Sequence, residues 1–101
     1  MIAHNVYFSL HDKSPESIAK LVNSAKTHLT GHAGVLFFAV GELAAGLNRP
    51  VNDLDFDVAL HVVFATLADH DLYQDAPRHH KFIDECKQGW AKVRVFDSLV
   101  D

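Results

Sequence analysis

Eight histidines stand among 101 residues, at His4, His11, His28, His32, His61, His70, His79 and His80. An imidazole has a reference pKa near 6.5, so modest shifts make it a proton acceptor at neutral pH, and it is also a common metal ligand. Metal ligation has little support along the chain. Zinc takes three or four ligands at set spacing, whereas the adjacent His79 and His80 would point to different sides of a helix. Asp53, Asp55 and Asp57 alternate at a strand entrance and read as a solvated acidic loop. No metal and no other cofactor is expected. The absence of a glycine-rich phosphate loop argues against a nucleotide. Cys86 is the only cysteine, which rules out an intrachain disulfide and a C-x-x-C site, and it has no evident activating partner. Acid–base chemistry remains. It needs a histidine that points inward near a hydroxyl such as that of Tyr73, so the faces of the elements decide which histidine counts.

Residues 4–10 alternate, with Val6, Phe8 and Leu10 on one side and Asn5, Tyr7 and Ser9 on the other. Period 2 with aromatic and β-branched residues predicts a strand. Ser14 as N-cap, Pro15 at the first helical position and Glu16 in the first turn open a helix over about 15–30. Its apolar face carries Ile18, Leu21, Val22, Ala25, His28 and Leu29, and Gly31 suits its end. Residues 34–43 predict a strand apolar on both sides, Val35, Phe37 and Ala39 facing one way and Leu36, Phe38 and Val40 the other. Residues 44–54, with Gly46 and Pro50, predict a loop. Residues 55–65 alternate again, with Phe56, Val58, Leu60, Val62 and Phe64 on the apolar side. Thr66 caps a short helix to about Tyr73, Pro77 restarts a helix to about Gly89, and 92–99 form a last strand. The order β-α-β-β-α-α-β is the α+β, ferredoxin-like split βαβ: a four-stranded antiparallel sheet with its helices on one face. A single domain over residues 1–101 is expected.

On the helix after Pro77, His79 shares a stripe with Phe82, Ile83, Cys86 and Trp90. A helix packed on the sheet aims that stripe at the strands, and His4 has the parity of Val6 and Phe8. Tyr73 precedes the helix and can reach the same space. His79, His4 and Tyr73 are therefore predicted to line a helix–sheet cleft. A base taking a proton next to a carbonyl, with a phenol holding the developing enolate, is a coherent acid–base pair. The bland reading is that His79 only packs there, bonded to Tyr73 or to a carbonyl. His28 is expected to be structural and His61 to lie on the opposite sheet face. His11, His32, His70 and His80 are expected in solvent.

The opposite face carries Tyr7, Ala59, His61, Val63 and Phe96 with one row of the second strand. A contiguous apolar face of that kind marks an interface, so the chain is predicted to pair with itself, two sheets face to face across a two-fold axis. Charged residues make up 22% and the formal net charge is −4, which argues against a nucleic-acid partner. Apolar runs are only a few residues long, too short for a membrane helix. With no secretory signal visible at Met1-Ile2-Ala3-His4, a cytoplasmic location is expected.

The strands HNVYFSL and DFDVALHVVFA, the segment LYQDAPRHHKFID and the closing KVRVFDSLV resemble the stress-responsive dimeric α/β barrel (Dabb) family over nearly the whole chain. The most specific piece is Tyr73, Pro77, His79 and Phe82, similar to the family's Y-x-x-H-P-x-H-x-x-F, with Ala76 standing where the first histidine would be. The resemblance implies the same ferredoxin-like dimer. Members include plant boiling-stable stress proteins and olivetolic acid cyclase, which closes a polyketide ring by aldol condensation. Carried over by motif, the resemblance makes His79 the base, Tyr73 its phenolic partner and His4 a second polar group in the pocket. The cyclase has a further tyrosine in its first helix, and the 15–30 helix here has none. Two functions follow from different classes. One is a homodimer that binds a small carbonyl-bearing molecule in its cleft, with cyclase-like acid–base catalysis. The other is a non-catalytic, stress-related structural or assembly homodimer.

Overall fold

The computed structural model describes residues 1–101. Strand β1 spans Ile2–Leu10, helix α1 Pro15–His28, β2 Val35–Glu42, β3 Val58–Phe64, α2 Leu67–Asp75, α3 Pro77–Cys86 and β4 Trp90–Leu99, with a 3-10 turn at Lys87–Gly89 before β4. The strands form one sheet in the order β2-β3-β1-β4, every pair antiparallel. This is the arrangement that the element order predicts.

Local chemistry sets the helix ends. The Ser14 hydroxyl accepts from the Ser17 N–H at 3.2 Å and opens α1. Gly31 takes φ 75 just past the end of α1. Thr66 caps α2 by accepting from the Asp69 N–H at 3.1 Å, while its own hydroxyl donates to the Asp69 carboxylate at 2.8 Å. Gly34 adopts φ 81, and a Cβ there would lie 2.1 Å from Asp69 Cγ, so neither the backbone nor the space admits a side chain.

The core lies between the helices and one sheet face. Phe64, Val58, Val62 and Leu29 are fully buried there, with Leu21, Ala25, Phe82 and Cys86 supplied by the helices. Two differences from the expected faces matter. In β2 the pairing shifts between Val35 and Phe37, so Leu36 is an extra residue. That bulge puts Val35 with Phe38 and Val40 against the core, and leaves Leu36 and Phe37 more than half exposed. The strand predicted over 55–65 begins only at Val58. Asp57 instead ties the strand entrance down: its N–H donates to the Phe8 carbonyl at 2.8 Å, and its carboxylate accepts from the Leu10 N–H at 2.8 Å and the Lys13 ammonium at 2.7 Å.

The expected acidic loop is likewise not free in solvent. Asp53 takes the Arg94 guanidinium at 2.9 Å and Asp55 takes the Lys92 ammonium, which fastens residues 53–55 to β4. Both carboxyl groups are held below the ordinary carboxylate range, chiefly by those side-chain bonds. Strand β4 is an edge that the helices leave partly uncovered. Val93, Val95 and Leu99 have the parity of the core face, yet all three are exposed.

Candidate functional site

The uncovered strip beside β4 is one wall of a small pocket. Helix α2 ends at Asp75, Ala76 turns to φ −68 and ψ 142, and Pro77 starts α3 at once. That corner swings the end of one helix against the start of the next. It sets the rings of Tyr73 and His79 edge to face with centroids 4.8 Å apart. The pocket has a volume of about 180 Å³. His4 and Val6 of β1, Val93 and Val95 of β4, and Tyr73, Gln74, His79 and Phe82 of the helices are among its walls. The structure thus brings His79, Tyr73 and His4 into one cavity, as the stripe and strand parities predict.

The polar groups there are unusual. Tyr73 is 2% exposed, and neither its hydroxyl nor His79 Nδ1 has a hydrogen-bond partner within the chain. A buried polar atom left without a partner costs on the order of 1–3 kcal/mol. Burial lowers the His79 pKa to about 4, helped by the neighbouring His80, His4, His32 and His70. Burial pushes the Tyr73 phenol well above its ordinary value. At pH 7 the pair is therefore a neutral imidazole and a neutral phenol, an acceptor beside a donor. The packing alternative, in which His79 bonds Tyr73 or a main-chain carbonyl, would satisfy at least one of these atoms. The structure satisfies neither.

His4 is buried and held at both ring nitrogens. Its Nδ1 lies 2.5 Å from the Asp97 carboxylate, and the Gln74 amide lies 3.4 Å from its Nε2. With donors donating, His4 gives its Nδ1–H to Asp97 and accepts from Gln74. His4 and Asp97 are directly opposed across the β1–β4 ladder, so the contact is set by strand register.

Two histidines expected in solvent belong to this region. His32 lies against Tyr73 with centroids 5.1 Å apart and bonds the His28 carbonyl at 2.8 Å. His70 lies against His4 at 5.2 Å and against Phe64 at 5.5 Å. Signals for His70 and for Asp97 exist in the sequence. His70 stands one helical turn before Tyr73 on the same face of α2, and Asp97 continues the parity of Val93 and Val95. Although His28 and His32 have i, i+4 spacing, Gly31 breaks the helix between them, so they do not form a ligand pair. His28 is structural as expected: its Nε2 meets Glu85 at 3.0 Å and Ser24 donates to the same carboxylate at 3.1 Å, joining α1 to α3. His61 bonds Asn5 at 2.7 Å on the other sheet face. His11 and His80 lie at the surface.

A larger hollow of about 420 Å³ lies on that other face, between Tyr7, Phe56, Phe96 and the loop around Leu47 and Leu54. It contains no histidine, and its aromatic floor is the apolar surface predicted to meet a second copy. Phe37 and Phe96 are each more than half exposed there.

A split βαβ sheet with helices on one face, an apolar second face and a pocket at the β4 edge defines a subunit of the ferredoxin-like α/β barrel class. More narrowly, the chain belongs to the stress responsive A/B barrel domain (Dabb) family, whose sequence model matches residues 2–100. No curated protein matches it. Among solved structures it is similar to a Dabb family protein with a ferredoxin-like fold from Mesorhizobium loti, 24% identical with a TM-score of 0.78 over 99% of this chain and 96% of that one. It is also similar to a dimeric ferredoxin-like protein of unknown function from Thermobifida fusca, at 15% identity and TM-score 0.80 over 98% and 90% of the two chains. A hydroxynitrile lyase from Passiflora edulis matches at 16% identity and TM-score 0.76 over 99% and 93%. Several of the matching structures are described as dimeric. No helix of this chain is long and apolar enough to cross a membrane.

Proposed function

We propose that this chain acts as a homodimer whose β4-edge pocket binds a small, partly apolar, carbonyl-bearing molecule. The observation that carries the reading is that Tyr73 Oη, His79 Nδ1 and Trp90 Nε1, all buried and without a partner within the chain, belong to residues that line one small cavity. A carbonyl compound admitted by a small shift of these side chains completes the first two. The phenol donates to the carbonyl oxygen, and the neutral imidazole accepts from the ligand's adjacent acidic position. Pockets for drug-sized ligands run roughly 300–1,000 Å³, so a cavity of about 180 Å³ calls for a compact molecule.

The same contacts support acid–base chemistry. A proton next to the carbonyl passes to His79 while Tyr73 holds the enolate oxygen, and His4, fixed by Asp97 and Gln74, completes the polar side of the pocket. An imidazole whose pKa lies near 4 is deprotonated at pH 7, but its driving force for abstraction is low. Binding is thus the primary activity and proton transfer the secondary one. A protein of the same fold is a hydroxynitrile lyase, so the fold is compatible with an enzyme's pocket.

The test is an NMR titration of the labelled protein with small aldehydes, ketones and β-keto acids sized to the cavity. Saturable shifts centred on Tyr73 and His79 are expected, weakened at least fivefold in Tyr73→Phe. A set with no saturable shift at the pocket would overturn the reading and leave the structural homodimer in its place.

A further inference from the structure

From the tertiary convergence of His4, His70 and Asp97 we infer a binding site for a divalent transition-metal ion of the zinc type, beside the pocket. The three residues come from β1, α2 and β4. Each offers one ligand atom, and those atoms all lie within 4.8 Å of one another. Two imidazoles and a carboxylate form a three-ligand set, the composition that zinc and related ions use when one position stays open. Magnesium and calcium favour all-oxygen sets and fit these residues poorly.

The surroundings agree with a metal site. His70 Nδ1 is engaged by the Asp71 carboxylate at 3.0 Å, which leaves Nε2 as its ligand atom. A carboxylate bonded to the far nitrogen is the arrangement that fixes the tautomer of metal-bound histidines. Access is graded. The His4 side chain is only 6% exposed while that of Asp97 is 47% exposed, so an ion enters along the β4 edge and ends at a buried imidazole. Two ligands about 2.1 Å from a tetrahedral ion stand about 3.4 Å apart. The His4–Asp97 contact is shorter, at 2.5 Å; the ion takes Nδ1, the ring proton moves to Nε2, and the Gln74 side chain turns its carbonyl oxygen to accept it. Asp97, on an edge strand, then withdraws by roughly 1 Å to reach that tetrahedral spacing. The ion would sit next to the cavity with an open position, and it shares His4 with the pocket without depending on a carbonyl ligand.

The measurement is a calorimetric titration of Zn²⁺ into the full, tag-free chain after chelator treatment, with Co²⁺ absorption as a spectroscopic readout of coordination. One saturating equivalent per chain is expected, with the visible d–d bands of low-symmetry Co²⁺. Zn²⁺ should also raise the thermal midpoint. Changing a residue that merely hydrogen-bonds a metal ligand loses about 10–100-fold in affinity. Loss of a ligand in Asp97→Asn or His70→Ala should therefore exceed about tenfold and abolish the thermal shift. Asp97→Asn nearly preserves shape, so it stands if His70→Ala folds poorly. Substitution of the exposed His80 (His80→Ala) should leave affinity unchanged. Absence of saturable binding, or binding that survives both ligand variants or vanishes in His80→Ala, overturns the site. Tyr73→Phe separates this outcome from the pocket reading, since it should weaken the carbonyl ligand and leave the metal untouched.

Discussion

Removing the Tyr73 hydroxyl should make the protein more stable. Tyr73 is 2% exposed, packs against Phe64, His79 and His32, and its hydroxyl has no partner in the chain. In most buried tyrosines the Tyr→Phe change removes a hydrogen bond and destabilises. Here it removes an uncompensated burial, and the ring contacts remain. An unsatisfied buried hydroxyl costs on the order of 1–3 kcal/mol. At the low end of that range, Tyr73→Phe should stabilise by about 1 kcal/mol. For a chain of this size that raises the midpoint by roughly 4–8 °C. Thermal and urea unfolding of both proteins at one chain concentration measure it. The same variant should bind the carbonyl ligand at least fivefold more weakly, an opposition between stability and function that a packing tyrosine would not show. A destabilisation above about 1 kcal/mol would mean that the hydroxyl makes a stabilising bond in the free protein, and would refute the reasoning.

His79 has a folded pKa near 4 against about 6.5 unfolded, so between those values the unfolded chain binds the extra proton and stability falls as pH drops. Discounted for partial exposure, that is about 1 kcal/mol between pH 7 and pH 5; urea midpoints should show it, and His79→Gln should remove it. Sedimentation of the wild type should give a two-chain particle, and Phe37→Asp or Phe96→Asp should give single chains; a wild-type monomer at micromolar concentration would rule out the dimer. Gly34→Ala combines a positive φ with a Cβ only 2.1 Å from Asp69 Cγ and should lower stability by about 2 kcal/mol or more, read as a fall in thermal midpoint.

The element order, the helix caps at Ser14 and Thr66, the Pro77 restart and the core rows of β1 and β3 are legible in the sequence because each depends on near neighbours. Period 2 and period 3.6 arise within a few residues, and a cap acts over three. The aim of His79 and His4 into a shared cavity follows from the same periodicities once both helices are put on one sheet face. The bulge at Leu36 is different. It depends on how β2 registers against β3, and one extra residue there turned Val35 to the core against its apparent parity. The exposure of Val93 and Val95 depends on β4 lying at the sheet edge beyond the reach of the helices. The places of His32, His70 and Asp97 around Tyr73 and His4 depend on contacts between elements far apart in the chain. Local pattern therefore determined the fold and one inward histidine stripe. Only long-range register and helix docking decided which polar groups gather there, because the free energy of those contacts belongs to no single segment.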